Sequence, residues 1–187
     1  MKMGIEELLL FLRNPEYRTD VDQHWKHKLK SFAGLLVLAL GIGFTLALFL
    51  GVLDTLTPWE LEQHAFEELL DRFSVYQITA LAILIAPVVE ELVFRGPLWF
   101  FRKSRYFKWV FWFFTLLFAL IHLGNYQGIQ NSWYLAPLLV SPQLTLGIIL
   151  GFVRVKFGLY LAMAFHAAYN AILLGPILLL IHTGLLS

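Results

Sequence analysis

Glu90 and Glu91 are adjacent carboxylates set with Arg95 inside a long apolar run, and from residue 78 to residue 101 these three are the only charges. Beyond Asp71, Glu90 and Glu91 are also the only side-chain carboxylates in the chain. A charge near the middle of a bilayer costs at least about 2.5–3.5 kcal/mol, so such groups persist where they have a partner or a task. Glu91 and Arg95 are four residues apart, which on a helix puts them on one face with the acid N-terminal, the arrangement that suits a carboxylate–guanidinium pair. Glu90 is turned about 100° away and has no local partner. Two further polar positions interrupt apolar runs: His122, four residues after Phe118, and His166 with Asn170, spaced i and i+4 so that both project from one face. Amide hydrolysis needs a base for water, donors for the developing oxyanion and an acid for the leaving amine. These side chains supply all three without a nucleophilic Ser, and the chain has no Cys.

Glu90, His122 and His166 would also serve as a zinc or iron set, since imidazole and carboxylate are ligands for both. The spacing is not His-Glu-x-x-His, where two ligands share one helix. The reading adopted is metal-free and without a cofactor, with a divalent metal such as zinc as the alternative.

These residues need helices to hold them. The chain is 59% hydrophobic, 16% aromatic and 14% charged, with a mean hydropathy of +0.70, a composition unlike that of soluble domains. Several apolar stretches approach the roughly 20 residues that cross a bilayer as a helix. We expect an all-α protein, a polytopic transmembrane bundle of five or six spans in a single membrane domain, with one or two interfacial amphipathic helices. The spans fall at 31–53, 75–101, 107–123, 133–153 and 157–174, with a short sixth helix at 176–186 set off by Gly175-Pro176. A net charge of +1 without a clustered basic stripe argues against nucleic acid as a partner.

Within this frame, residues 1–30 form a basic segment in which Ile5, Leu8, Leu9 and Leu12 recur at helical spacing, predicting a short helix on the membrane surface. This segment has no apolar signal-peptide core, so the first span is expected to direct targeting. Thr57-Pro58-Trp59-Glu60 reads as an N-cap with a capping box. The helix it starts carries Phe66, Leu69, Leu70 and Phe73 as one stripe, and serves as a connector or as a gate to the site. Pro87 removes a backbone donor one turn before the glutamates and predicts a kink or widened turn there. Ser141-Pro142 interrupts the fourth span, the aromatic run 109–118 reads as a lipid-facing belt, and His24, His27, His64 and His182 read as ordinary loop or interface residues.

Orientation follows from the basic residues. Residues 1–30 hold six Lys or Arg, the acidic loop 54–74 only Arg72, the turn after span two Arg102, Lys103, Arg105 and Lys108, the next loop none, and the turn after span four Arg154 and Lys156. The alternation places the N-terminus in the cytoplasm of a bacterial-type plasma membrane. Counted from these turns at 1.5 Å per residue, Glu90 and His122 lie roughly 22 and 25 Å from Arg105, and His166 and Asn170 roughly 15 and 21 Å from Lys156. Three spans can therefore bring one layer of polar groups together.

The ordered motifs Glu-Glu-x-x-x-Arg (Glu90, Glu91, Arg95), Phe-x-x-x-His (Phe118, His122) and His-x-x-x-Asn (His166, Asn170) resemble those of the CPBP intramembrane proteases. That family includes the type II CAAX prenyl endopeptidases and the bacterial Abi proteins. The likeness covers about residues 76–175. It implies an intramembrane endopeptidase in which Glu90 and His122 activate a water, His166 and Asn170 stabilise the oxyanion, and Glu91 with Arg95 holds the site together. It also implies a membrane-embedded or lipidated peptide or protein as substrate, met within the lipid bilayer. Two other classes compete: a non-proteolytic member acting as membrane scaffold or immunity protein, and a transporter or proton relay. The last predicts internal repeats, and the sequence shows none.

Overall fold

The computed structural model describes residues 2–18, 25–56, 64–126 and 133–185, and among them all regular structure is helical. Helix α1 (Lys2–Arg13) precedes α2 (Trp25–Leu56), an apolar helix of 32 residues. Then come α3 (His64–Arg72) and α4 (Val75–Ala80), the latter closed by a reciprocal capping box between Ser74 and Gln77. A π-helical turn (Leu81–Ile85) joins α4 to α5 (Ala86–Phe94), and a 3-10 turn (Pro97–Trp99) ends that span. Helix α6 (Phe107–Ile121) runs into a 3-10 turn (His122–Asn125). Finally α7 (Ala136–Leu139), α8 (Ser141–Phe157) and α9 (Leu159–His182) complete the bundle. The capping box expected at residues 57–60 and the side chain of Phe66 lie outside the described residues.

Four helical stretches are long and apolar enough to cross a membrane: Trp25–Leu56, Val75–Trp99, Phe107–Asn125 and Leu159–His182. The pair Trp133–Leu139 and Ser141–Phe157, bent by 45°, makes a fifth if taken as one span, and its break falls where Ser141-Pro142 interrupts the apolar run. Only 17–33% of the apolar window in each of the four unbroken spans is buried inside the protein, so most of that surface is left for lipid. The protein is an all-α polytopic helical membrane protein.

The expected sixth helix at 176–186 does not exist as a separate element, because α9 runs unbroken through Gly175 and Pro176 to His182. A proline inside a helix removes one backbone hydrogen bond, whereas ending the helix at membrane depth would expose several unpaired groups to hydrocarbon. Leu178 is buried beyond the proline, and His182 Nε2 lies 3.1 Å from the Tyr76 hydroxyl, tying the end of α9 to α4.

Helix α8 is the central strut. It packs on α2, α6 and α9, and Leu146 to Val155 are buried with the exception of Ile148, as expected of a helix that is apolar all round. Close approach is built in at Gly151, where a Cβ would come within 2.6 Å of the Phe111 ring, and at Gly43 of α2, where it would collide with the Tyr169 hydroxyl. The aromatic run of α6 is two-sided. Trp109 and Phe113 face outward, but Phe111 and Phe118 are wholly buried, so the lipid-facing belt expected over 109–118 is corrected to one face of lipid anchors and one of core.

Helix α1 is likewise part of the core rather than only a surface tether. Leu8 is buried, Phe11 meets Phe111 edge-on at 5.0 Å and Phe152 at 5.4 Å, and Glu7 pairs with Lys156 at 3.2 Å. Truncating a packed aromatic leaves a cavity that costs about 3 kcal/mol. Phe11→Ala is therefore expected to lower the unfolding midpoint of the detergent-solubilised protein measurably, and an unchanged midpoint would detach α1 from the core.

Candidate active site

The site begins with the buried pair on α5. Glu91 is fully buried and Arg95 is 1% exposed; their Oε1 and Nη1 atoms lie 3.4 Å apart. The guanidinium is held on other sides as well. Its Nη2 donates to Gly147 O of α8 at 3.4 Å, and its Cζ sits 3.8 Å above the Phe118 ring centroid, a cation–π contact. A Cβ at Gly147 would meet that Nη2 at 3.3 Å and Phe118 at 3.0 Å, so glycine lets α8 approach. Arg154, read from sequence only as part of a basic turn, is buried: its Nε donates to Arg95 O at 3.1 Å and its Nη1 to the Tyr17 hydroxyl at 3.0 Å. It anchors the end of α5 from the side of the basic turns.

Upon this pair sits His166. Its Nδ1 lies 3.2 Å from Glu91 Oε1, and its Nε2 lies 3.7 Å from Glu90 Oε2. The glutamate without a partner on its own helix thus acquires one from α9. With Nδ1–H donated to Glu91, Nε2 is the atom turned toward Glu90. His122, at the end of α6, has Nδ1 bonded to Phe118 O at 2.8 Å, which leaves Nε2 for other work. Phe118 stacks edge-on with both imidazoles, at 4.9 Å from His122 and 5.9 Å from His166, and so positions them together with the guanidinium.

Asn170 is placed by the widened turn that Pro87 predicts. In the π-helical segment the Ala86 N–H bonds Leu81 O, and the residue that would next donate to Ala82 O is Pro87, which has no N–H. Asn170 Nδ2 fills that gap, donating to Ala82 O at 2.8 Å. One amide hydrogen is thereby committed to the α4–α5 span and the second stays free.

Glu90, His122, His166 and Asn170 all line one cavity of about 980 Å³, walled also by α2, α7 and α8. Sequence reasoning missed Asp54, Tyr126, Gln143 and Tyr169, which share this lining. Only Gln143 carried a signal, as a polar residue directly after the Ser141-Pro142 break. Burial pushes the Tyr126 phenol above its usual range, so it faces the cavity as a neutral hydroxyl. Among the described residues no three His, Asp or Glu side chains converge as a metal site, so the Glu90, His122 and His166 set does not close around an ion in this arrangement.

Helices of this length enclosing carboxylates and imidazoles define an integral membrane protein with a polar centre inside the bundle. A protein-family comparison makes the assignment specific: the family described as type II CAAX prenyl endopeptidase Rce1-like matches residues 72–172, more than half of the chain. The protein belongs to this family, and so to the CAAX-type intramembrane proteases. Comparison with curated proteins and with solved structures gives no match.

Removing one member of a buried ion pair strands the other and costs about 3–5 kcal/mol, whereas replacing both by apolar groups is often neutral. Arg95→Met is expected to destabilise the fold strongly, and Glu91→Leu combined with Arg95→Met to regain much of the loss. Denaturant midpoints in micelles give the comparison, and a double variant no better than the single one would refute the pairing.

Proposed function

We propose that the protein is a glutamate-dependent, metal-free intramembrane endopeptidase acting on a membrane-associated or lipidated peptide. The observation that carries this reading is the convergence of Glu90, His122, His166 and Asn170, from three spans, on one cavity above a sealed Glu91–Arg95 pair. Glu90 takes a proton from a water held between it and His122 Nε2, and the water oxygen bonds to the scissile carbonyl carbon. The oxyanion that forms is stabilised by His166 and by the second Asn170 amide hydrogen. Collapse of the tetrahedral species breaks the C–N bond, and the proton on Glu90 passes to the departing amine. Phe118, Glu91 and Arg95 orient these groups without touching the reacting atoms.

Cleavage of membrane-anchored and prenylated peptides by the purified protein, followed by mass spectrometry, tests the proposal. Loss of a general base costs about 10²- to 10⁴-fold, so Glu90→Gln is expected to reduce kcat/KM by that factor. A strong chelator is expected to leave wild-type cleavage intact. Loss on chelation would restore a divalent metal such as zinc, and no cleavage of any peptide would favour a scaffold or immunity role.

The basic turns support a cytoplasmic N-terminus in a bacterial-type plasma membrane. Because the chain has no Cys, single cysteines report topology without background. Ser104→Cys in the basic turn is expected to react with an impermeant maleimide only after cells are permeabilised, and Thr183→Cys beyond α9 in intact cells. The reverse pattern would invert the topology.

A further inference from the structure

Gln143 lines the cavity together with Glu90, His122, His166 and Asn170, yet no contact within the protein accounts for its carboxamide oxygen. That Oε1 is buried and, among the described residues, has no hydrogen-bond partner. The hydroxyls nearest in sequence are already engaged: Ser141 Oγ donates to Leu138 O at 2.7 Å, and Thr145 Oγ1 donates to Ser141 O at 2.9 Å. The cavity wall around it on α7 and α8, formed by Leu139, Pro142 and Leu146, is apolar. An amide oxygen that has left water without finding another donor destabilises the fold, so its presence points to a role other than stability.

The place of Gln143 on α8 says what that role is. Gln143 and Gly147 are i and i+4, so they share one face of the helix and stand one turn, about 5.4 Å, apart. At Gly147 this face meets the floor of the site. Its carbonyl accepts from Arg95, and a Cβ there would press on Phe118, the ring that contacts both imidazoles. An extended peptide advances about 3.3–3.6 Å per residue, so a chain with its scissile bond at Glu90 brings a peptide group one or two residues away to the level of Gln143. A carboxamide carries an acceptor and two donors in one plane, the complement of the N–H and C=O of that group. Because no donor ties Oε1 down, the side chain turns into the cavity when a peptide N–H is there to meet it.

We propose that Gln143 is a substrate-binding residue whose carboxamide pairs with a peptide group one or two residues from the scissile bond. Oε1 accepts from the substrate N–H, Nε2 donates to its C=O, and the backbone is thereby aligned across Glu90 and His122. Recognition of this kind reads the backbone and not the side chains, so it serves a lipidated or membrane-anchored peptide of any sequence. The assignment rests on the protease reading of the same cavity and adds to it the residue that holds the chain.

Backbone-modified peptides test the pairing. In an S-farnesylated peptide, each backbone N–H within three residues of the lipidated cysteine is replaced in turn by an ester oxygen, which deletes one donor and leaves the side chains alone. Binding to the full-length Glu90→Gln protein in nanodiscs is read by fluorescence polarisation, with and without Gln143→Met, and cleavage is read in protein that retains Glu90. Met fills nearly the same volume without the amide, so the unfolding midpoint is expected to stay the same or rise. The same substitution is expected to weaken binding of the unmodified peptide about tenfold and to raise KM with kcat little changed. One ester position is expected to lose about tenfold against the Gln143 protein and nothing further against the Gln143→Met variant, the non-additivity of groups in contact. Additive losses at every position, or an unmodified peptide that binds the Gln143→Met variant as tightly as its parent, overturns the assignment, as does failure of every peptide to bind. The non-additive pattern without cleavage would sink the protease reading and leave Gln143 as a peptide-binding residue.

Discussion

The structure depends on one constraint: a guanidinium and a carboxylate, Arg95 and Glu91, are buried almost completely in the interior of a membrane bundle. Burying ions is costly, and a buried pair adds little net stability compared with apolar side chains of the same size. What the pair supplies is geometry. Arg95 reaches Glu91 on its own helix, a backbone carbonyl of α8 and the face of Phe118 on α6, and Glu91 reaches His166 on α9. Four helices are thus keyed to one another through two side chains. Any rotation of α5 large enough to move Glu90 would strand a charge.

The backbone carries a second key. A helix that contains Pro87 must leave a carbonyl unmatched, and in a bilayer that carbonyl needs another donor. The π-helical turn gathers the mismatch at Ala82, one helical turn before the proline, and Asn170 answers it from α9. The same side chain that faces the cavity therefore also fixes the span that bears Glu90. Asn170 and His166 lie one turn apart, so one helix face of α9 sets both the register of the π turn and the position of the carboxylates.

The spacing of Phe118, His122, Glu90, Glu91 and Arg95 is informative about partners within a helix and silent about partners between helices. The Glu91–Arg95 pair was legible because four residues return the chain to the same face, and His122 was legible as a polar residue at the end of an apolar run. The shared depth of Glu90, His122, His166 and Asn170 followed from counting along helices, and all four line the cavity. Arg154 looked like one more positive charge beside a turn, since nothing in its neighbourhood announces that Arg95 O and the Tyr17 hydroxyl will bury it. Asp54 and Gln143 were overlooked because a lone carboxylate at a helix end and a lone amide after a proline gain meaning only from what stands across the cavity.

The sequence by itself determined that this is a helical membrane protein, where its charges interrupt the apolar runs, and which ordered motifs place it among intramembrane proteases, because periodicity, charge cost and local pairing act along the chain. The tertiary structure decided that His166 bridges the two glutamates, that Asn170 closes a gap left by Pro87, that α1 joins the core and that α9 continues through Pro176. Those outcomes turn on distances between segments far apart in sequence. They are settled by which unpaired donor or acceptor lies opposite which in a bundle that has no water to satisfy them.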